Sequence, residues 1–287
     1  MSKNFITLMT LFILLFSSSV EAMIHVVSAE NFYGSVVKQI GGQYVEVENV
    51  LDNPNQDPHL FTVSPKILIM IAKADLIIYN GADYDPWMIA ITSNISSNKK
   101  VLIVASLLNI KINTNPHIWY DPQTMLIFAK KITTMLIAFD PNHSAYFLHQ
   151  FNQFTQDYHA LFLMIQKIHT QFDKTPITAT EPIFNYMSDY LGFEMFNRRF
   201  QENMMNDVTP SPSDIQAFED SLTQHKVRLL IYNKQVDSPM TKRMLSIARE
   251  KHIPVLGVTE TLPLSLTYIQ WMMQQLKELE YALQNEG

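Results

Sequence analysis

The chain has 287 residues, 17% of them charged, a formal net charge of −6 and no cysteine. An acidic chain without a concentrated basic face is excluded as a nucleic-acid binder, because neutralising phosphates needs clustered Lys and Arg. Without disulfides the fold must stand on ordinary apolar cores, and a chain of this length can bury two of them.

In chain order, the first segment reads Met1-Ser2-Lys3, an apolar run from Phe5 to Phe16, Ser17-Ser18-Ser19 and Val20-Glu21-Ala22. One positive charge, a short apolar core and small residues at the −3 and −1 positions predict a secretory signal peptide over 1–22, cleaved after Ala22. The competing reading is a membrane anchor, but a spanning helix needs about 20 apolar residues and this run is shorter. Removing 1–22 takes away Lys3 and Glu21 together, so the mature net charge stays at −6. No cysteine stands at the cleavage site to carry a lipid, so the mature protein is expected to be soluble in a periplasm.

The next segments alternate. Apolar or β-branched runs at Ile24–Ser28, Tyr44–Leu51, Leu76–Asn80 and Val101–Val104 read as strands, with helical spacing between them at Phe32–Ile40 and Pro65–Ala74. A second series of strands follows at Ile177–Thr180, Phe193–Phe196, Arg228–Tyr232 and Val255–Val258. Between the two series, Asp140-Pro141-Asn142 opens a stretch to Phe172 without Gly or Pro and with apolar residues at helical period. Asp140 as N-cap and Pro141 as first helical residue predict a helix start, and some 30 residues give a helix of about 45 Å. The expected fold is α/β, with two lobes each built on a mainly parallel sheet flanked by helices and bridged by one long rigid helix. The boundaries are 23–139 for the first lobe, 140–172 for the linking helix and 173–287 for the second lobe. A packing helix inside one domain is the alternative reading of 140–172.

Nine histidines occur. His25, His143, His149, His159, His169, His225 and His252 lie in strand, helix or charged surroundings and read as surface or half-buried polar residues. His59 and His117 differ, because each follows a proline, in Asp57-Pro58-His59 and Asn115-Pro116-His117, in a loop expected just after a strand. Proline reduces the entropy lost in holding an imidazole on a metal, and open α/β sheets bind ligands beyond the carboxyl ends of their strands. In the second series, Glu181 and Glu260 each stand one or two residues past a predicted strand. Each could simply cap a following helix, since acidic residues favour helix N-termini.

The motifs Asp57-Pro58-His59, Pro116-His117-Ile118-Trp119 with Asp121-Pro122, Glu181 to Tyr186 with Leu191-Gly192, and Val258-Thr259-Glu260-Thr261-Leu262 occur in an order that resembles the solute-binding proteins of zinc and manganese ABC importers. Ala29-Glu30-Asn31-Phe32-Tyr33-Gly34 and Tyr79-Asn80-Gly81 with Asp83-Tyr84-Asp85-Pro86-Trp87 reinforce the resemblance, which spans the mature chain. It implies a non-enzymatic, monomeric carrier that binds one zinc or manganese ion between its lobes and delivers it to a membrane ABC permease. The family's histidine ligands fall on His59 and His117. Its third ligand, histidine or glutamate, falls on Glu181. The fourth, usually aspartate, falls on Glu260, a departure by one methylene. Two imidazoles and two carboxylates suit either ion.

The interval from His59 to His117 contains no histidine, so the histidine-rich insert of many zinc-specific members is missing. Asp83 and Asp85 read as turn or helix caps. Glu30 and Asn31 are expected to line the cleft or support a ligating histidine, while Phe61, Trp119 and Phe184 would shield it. The rival readings are a hydrolase, with His59, His117 and Glu181 on the metal and Glu260 as base, and a metal-binding adhesin or binder of an organic solute.

Overall fold

The computed structural model describes residues 23–54, 58, 61–95, 99–110 and 114–285. The expected signal peptide and His59 lie outside the described residues. Strands β1 (Ile24–Glu30), β2 (Val45–Leu51), β3 (Leu76–Tyr79) and β4 (Lys100–Ile103) form one sheet in the order β2-β1-β3-β4. Strands β5 (Pro176–Ala179), β6 (Glu194–Phe196), β7 (Leu230–Asn233) and β8 (Val255–Val258) form a second in the order β6-β5-β7-β8. Every pairing is parallel. The two orders are the same, and in each the winding reverses between the first and third strand. Such a reversal splays the loops at the carboxyl ends apart and opens a crevice there.

The first sheet carries α1 (Asn31–Gly41), α2 (Pro65–Lys73), α3 (Pro86–Thr92), α4 (Val104–Leu107) and α5 (Thr124–Phe139). Then comes α6 (Ser144–Phe172), followed in the second lobe by α7 (Asn185–Tyr190), α8 (Arg198–Met205), α9 (Pro212–Thr223), α10 (Pro239–Glu250) and α11 (Tyr268–Gln284). The 29-residue α6 buries Phe147, Phe154, Tyr158, Leu161, Ile165 and Ile168, spaced by three, four or seven positions, which makes one apolar stripe. That stripe packs on α1, α5 and α11. As a result the core is shared: Val26, Phe32 and Phe128 of the first lobe belong to the same buried cluster as Ile177, Leu229 and Leu256 of the second. Each such buried side chain contributes about 1.5–3 kcal/mol, so the lobes are held as a packed pair and a flexible tether is absent among the described residues.

One expected detail differs. The chain starts to coil at Pro141, but as a single 3-10 turn over Pro141–His143, and the α-helix begins at Ser144. Asp140 does not cap it through its side chain. Its Oδ2 instead meets Nδ1 of His143 at 2.5 Å, and the imidazole stacks on Tyr44 with ring centres 3.8 Å apart. The aspartate prefers a charged or strongly polar partner to a backbone amide, which moves the helix start by one turn.

Candidate metal site

His117 is reached through a buried polar relay. Asp85 is placed by the turn after β3, where Gly81 takes a positive φ of 78° and a Cβ would meet Ile103 Cγ2 at 2.6 Å. The Asp85 carboxylate accepts from the Asn80 and Gly81 amides at 2.6 and 2.9 Å, as expected of a turn cap. Tyr33 donates to Asn80 Oδ1 at 2.6 Å, and Asn80 Nδ2 donates to the Pro116 carbonyl at 2.9 Å. The loop that carries His117 does not begin directly after β4 as expected, because α4 intervenes, but this relay ties it to the end of β3.

Asn115 sets the imidazole. Its Nδ2 donates to the Pro182 carbonyl at 2.7 Å, so its Oδ1 is the acceptor for the His117 amide at 3.1 Å and for Nδ1 at 2.7 Å. Nδ1 is thereby directed to Asn115, and Nε2 is the ring nitrogen that faces the other lobe. His117 is buried, and Nε2 has no hydrogen-bond partner among the described residues. It lies 3.7 Å from Glu260 Oε2, across the boundary between the lobes. A buried imidazole nitrogen and a buried carboxylate oxygen thus face each other across this boundary.

The second lobe brings its carboxylates to the same place. Glu181 follows β5 and Glu260 follows β8, and both are buried. Neither caps a helix: Glu181 makes no capping bond to the 3-10 turn Pro182–Phe184, and the next helix after Glu260 is capped by Thr267. Both go to Asn233 instead, whose Nδ2 donates to Glu181 Oε2 at 3.2 Å and to Glu260 Oε1 at 2.5 Å. Gln235 holds the Glu260 loop, its Oε1 accepting from the Glu260 and Thr261 amides and its Nε2 donating to Thr261 Oγ1 at 2.9 Å. Asn115, Asn233 and Gln235 are polar residues that sequence reading did not single out. The strand-end position of Asn233 was the one available signal.

Of the two roles open to Glu30 and Asn31, lining the cleft or bonding a histidine, Asn31 takes the first. Asn31 spans the cleft, donating to the Leu262 carbonyl at 2.7 Å and accepting from the Leu262 amide at 2.9 Å. Glu30 is fully buried beside Asp85. Burial, then the Asp85 charge, holds the Glu30 carboxyl well above the usual range, and burial pushes Asp85 up to about 6. Tyr84 is raised first by burial and then by the charges of Glu260 and Glu30, so its phenol keeps its proton beside the carboxylates. Trp119 is fully buried with its ring centre 5.2 Å from the imidazole, and Phe184 packs against Tyr120 at 5.1 Å, while Phe61 meets Trp87 at 4.8 Å.

Of the four expected ligands, His117, Glu181 and Glu260 thus converge, while His59 lies outside the described residues. Among the described residues no three His, Asp or Glu side chains form an ion-holding group by themselves. Glu181 reaches Glu260 through Asn233.

The family model described as the periplasmic component A of a zinc-uptake complex matches residues 26–282. The chain belongs to this family. Two relatives are the metal ABC transporter substrate-binding lipoprotein FimA of Streptococcus parasanguinis, 24% identical over 258 residues, and the manganese ABC transporter substrate-binding lipoprotein PsaA of Streptococcus pneumoniae, 24% identical over 249 residues. The alignments cover 83% of this chain and 80% of FimA, and 80% of this chain and 77% of PsaA. In fold, the chain is similar to the periplasmic zinc-binding protein TroA of Treponema pallidum, with a TM-score of 0.78, 18% identity and coverage of 91% and 99% of the two chains. It is also similar to a manganese-bound periplasmic metal-binding protein of Candidatus Liberibacter asiaticus, with a TM-score of 0.72, 18% identity and coverage of 90% and 99%. Family members are transport components, and their exported character agrees with a leader at the start of this chain.

Proposed function

We propose that this protein captures one zinc or manganese ion per chain in the cleft between its lobes and delivers it, as a soluble periplasmic monomer, to a membrane ABC permease. His59 and His117 come from the first lobe and Glu181 and Glu260 from the second. Nucleic acid is not a partner, and the signal peptide is cleaved after Ala22. The observation that carries this reading is the pair His117 Nε2 and Glu260 Oε2, buried and facing each other at 3.7 Å.

The arrangement suggests how capture works. Asn115 orients the imidazole before the ion arrives, so little entropy is lost on binding. The two carboxylates neutralise the charge of a divalent ion and offset its lost hydration. The separations within the buried site suit an ion and are too short for a sugar or an amino acid. Release follows when the permease draws the lobes apart and separates nitrogen from oxygen ligands. Because imidazole and carboxylate bind metal only when deprotonated, affinity falls from about pH 8 to about pH 5.

The test is metal content by mass spectrometry on stripped protein reloaded with zinc and manganese in competition. One equivalent, weakened by Glu260→Ala, supports the reading. No stoichiometric metal overturns it.

A further inference from the structure

We propose that the open edge of β8 is a docking groove for an extended, acidic segment of a partner protein, which adds a further strand to the second sheet.

The groove follows from strand order. β8 ends the second sheet and pairs with β7 alone among the described residues. The paired side is marked by Leu230 N, which donates to the Pro254 carbonyl at 3.0 Å, and by Lys234 N, which donates to the Val258 carbonyl at 2.9 Å. Backbone groups alternate along a parallel strand, so the intervening residues Val255 and Gly257 turn their N–H and C=O away from β7. A cavity of about 740 Å³ lies here, between α11 and the end of α10. Residues 253–257 all line it, although successive side chains of a strand point to opposite faces, so the cavity runs along the edge of β8 and not over one face. The four residues of β8, at about 3.3 Å each, give about 13 Å of open edge, which suits one short extended segment.

The rim sets the charge of that segment. Arg249 and His252 stand at the amino end of the groove and Lys277 on its α11 wall, all three exposed and without an ion-pair partner among the described residues. The acid that lines the groove, Glu278, already accepts from Gln274 at 2.9 Å. The groove is therefore locally basic on a chain whose net charge is −6. Apolar surface lies beside the charges, where Tyr281 is 69% exposed. An open edge would accept strands from many chains, and charge is what narrows the choice. A second copy paired edge to edge would bring Arg249 and Lys277 against their like, whereas acidic side chains meet them favourably. Main-chain bonds to Val255 and Gly257 supply affinity, and alternate side chains supply specificity, with carboxylates reaching the basic rim and an apolar group reaching Tyr281.

The probe is a fluorescent pool of peptides of about six residues, the usual strand length, with Glu or Asp at alternate positions and Val, Ile or Phe between them. Binding to the purified protein is followed by anisotropy. A second pool carries Lys in place of the acids, and a third is the acidic pool with its backbone amides methylated. The acidic pool should bind saturably, and the other two at least about tenfold more weakly. Hydrogen exchange across 253–258 should slow when the acidic pool is present. Lys277→Glu, at an exposed position, should weaken the acidic pool by about tenfold, and so should raised salt. Equal binding of acidic and basic pools overturns the charge selection, and binding indifferent to methylation overturns strand addition. No binding of the acidic pool up to about 1 mM overturns the proposal outright. A dimer in sedimentation that Val255→Pro abolishes, by removing an outward N–H, assigns the edge to a second copy and overturns it as well.

Discussion

Two pairs of buried carboxyl groups lie close together in this protein, and they are handled in opposite ways. In the first lobe Glu30 and Asp85 lie buried together: burial raises both groups, and the Asp85 charge raises Glu30 further, while the contact with Glu30 works against the rise of Asp85. In the second lobe Glu181 and Glu260 share an amide donor, Asn233, and Glu260 faces the His117 imidazole across the cleft. In the first pair Asp85 holds the turn after β3 through the Asn80 and Gly81 amides. The second stands at the boundary between the lobes, joined through one amide. Similar residues in similar burial thus acquire different chemistry from their neighbours: an acid buried beside an acid is raised, whereas two acids that share an amide each gain a hydrogen-bond donor.

The largest effect that could break this contrast is at His117. His117→Ala should weaken metal binding by more than about a hundredfold, since even supporting residues contribute 10- to 100-fold. Titration with a competing chelator measures it, and near-wild-type affinity would remove the opposing ligand from the argument. Metal itself should raise stability by about 3 kcal/mol at a hundredfold excess over Kd. Thermal melts with and without a chelator read that shift, and equal melting temperatures would contradict a cation site.

A smaller loss is expected from Asn31→Ala, which removes both hydrogen bonds to Leu262 across the cleft. Leaving those buried backbone groups unpaired should cost about 2 kcal/mol, measured by chemical denaturation of the metal-free protein. No change would mean that the lobes are held by the shared core alone.

The smallest effect sharpens the other half of the comparison. A carboxyl whose folded pKa is raised binds protons more tightly in the native state, so its stabilising effect is present at acid pH and is lost as pH rises from about 4 through about 6 and above. Glu30→Gln should remove that dependence. The variant should therefore gain stability relative to wild type, by about 1 kcal/mol, on going from about pH 4 to about pH 7. A constant difference between the two would mean that burial beside Asp85 does not raise Glu30.

The sequence revealed much of this in advance, and for local reasons. The strand pattern was legible because buried parallel strands are short apolar runs, and Val255–Val258 matches its expectation residue for residue. The long helix was legible because Gly and Pro are missing over its length. Its start was not, because Asp140 and Pro141 resemble a cap until His143, stacked on Tyr44, takes the carboxylate. His117, Glu181 and Glu260 stood out by their positions after strands, yet the helix-capping alternative for the two glutamates could be set aside only when both were found on Asn233.

By itself, the sequence determined the alternation of strand and helix, the absence of disulfides and the three loop residues that meet at the cleft, since each depends on neighbours in the chain. Tertiary structure alone decided that Asn233 stands between two carboxylates, that Asn31 bonds to Leu262 and that Glu30 pairs with Asp85. Those partners are brought together by sheet order and lobe packing, and the chemistry of a buried polar group is set by what packs against it, which no local pattern encodes.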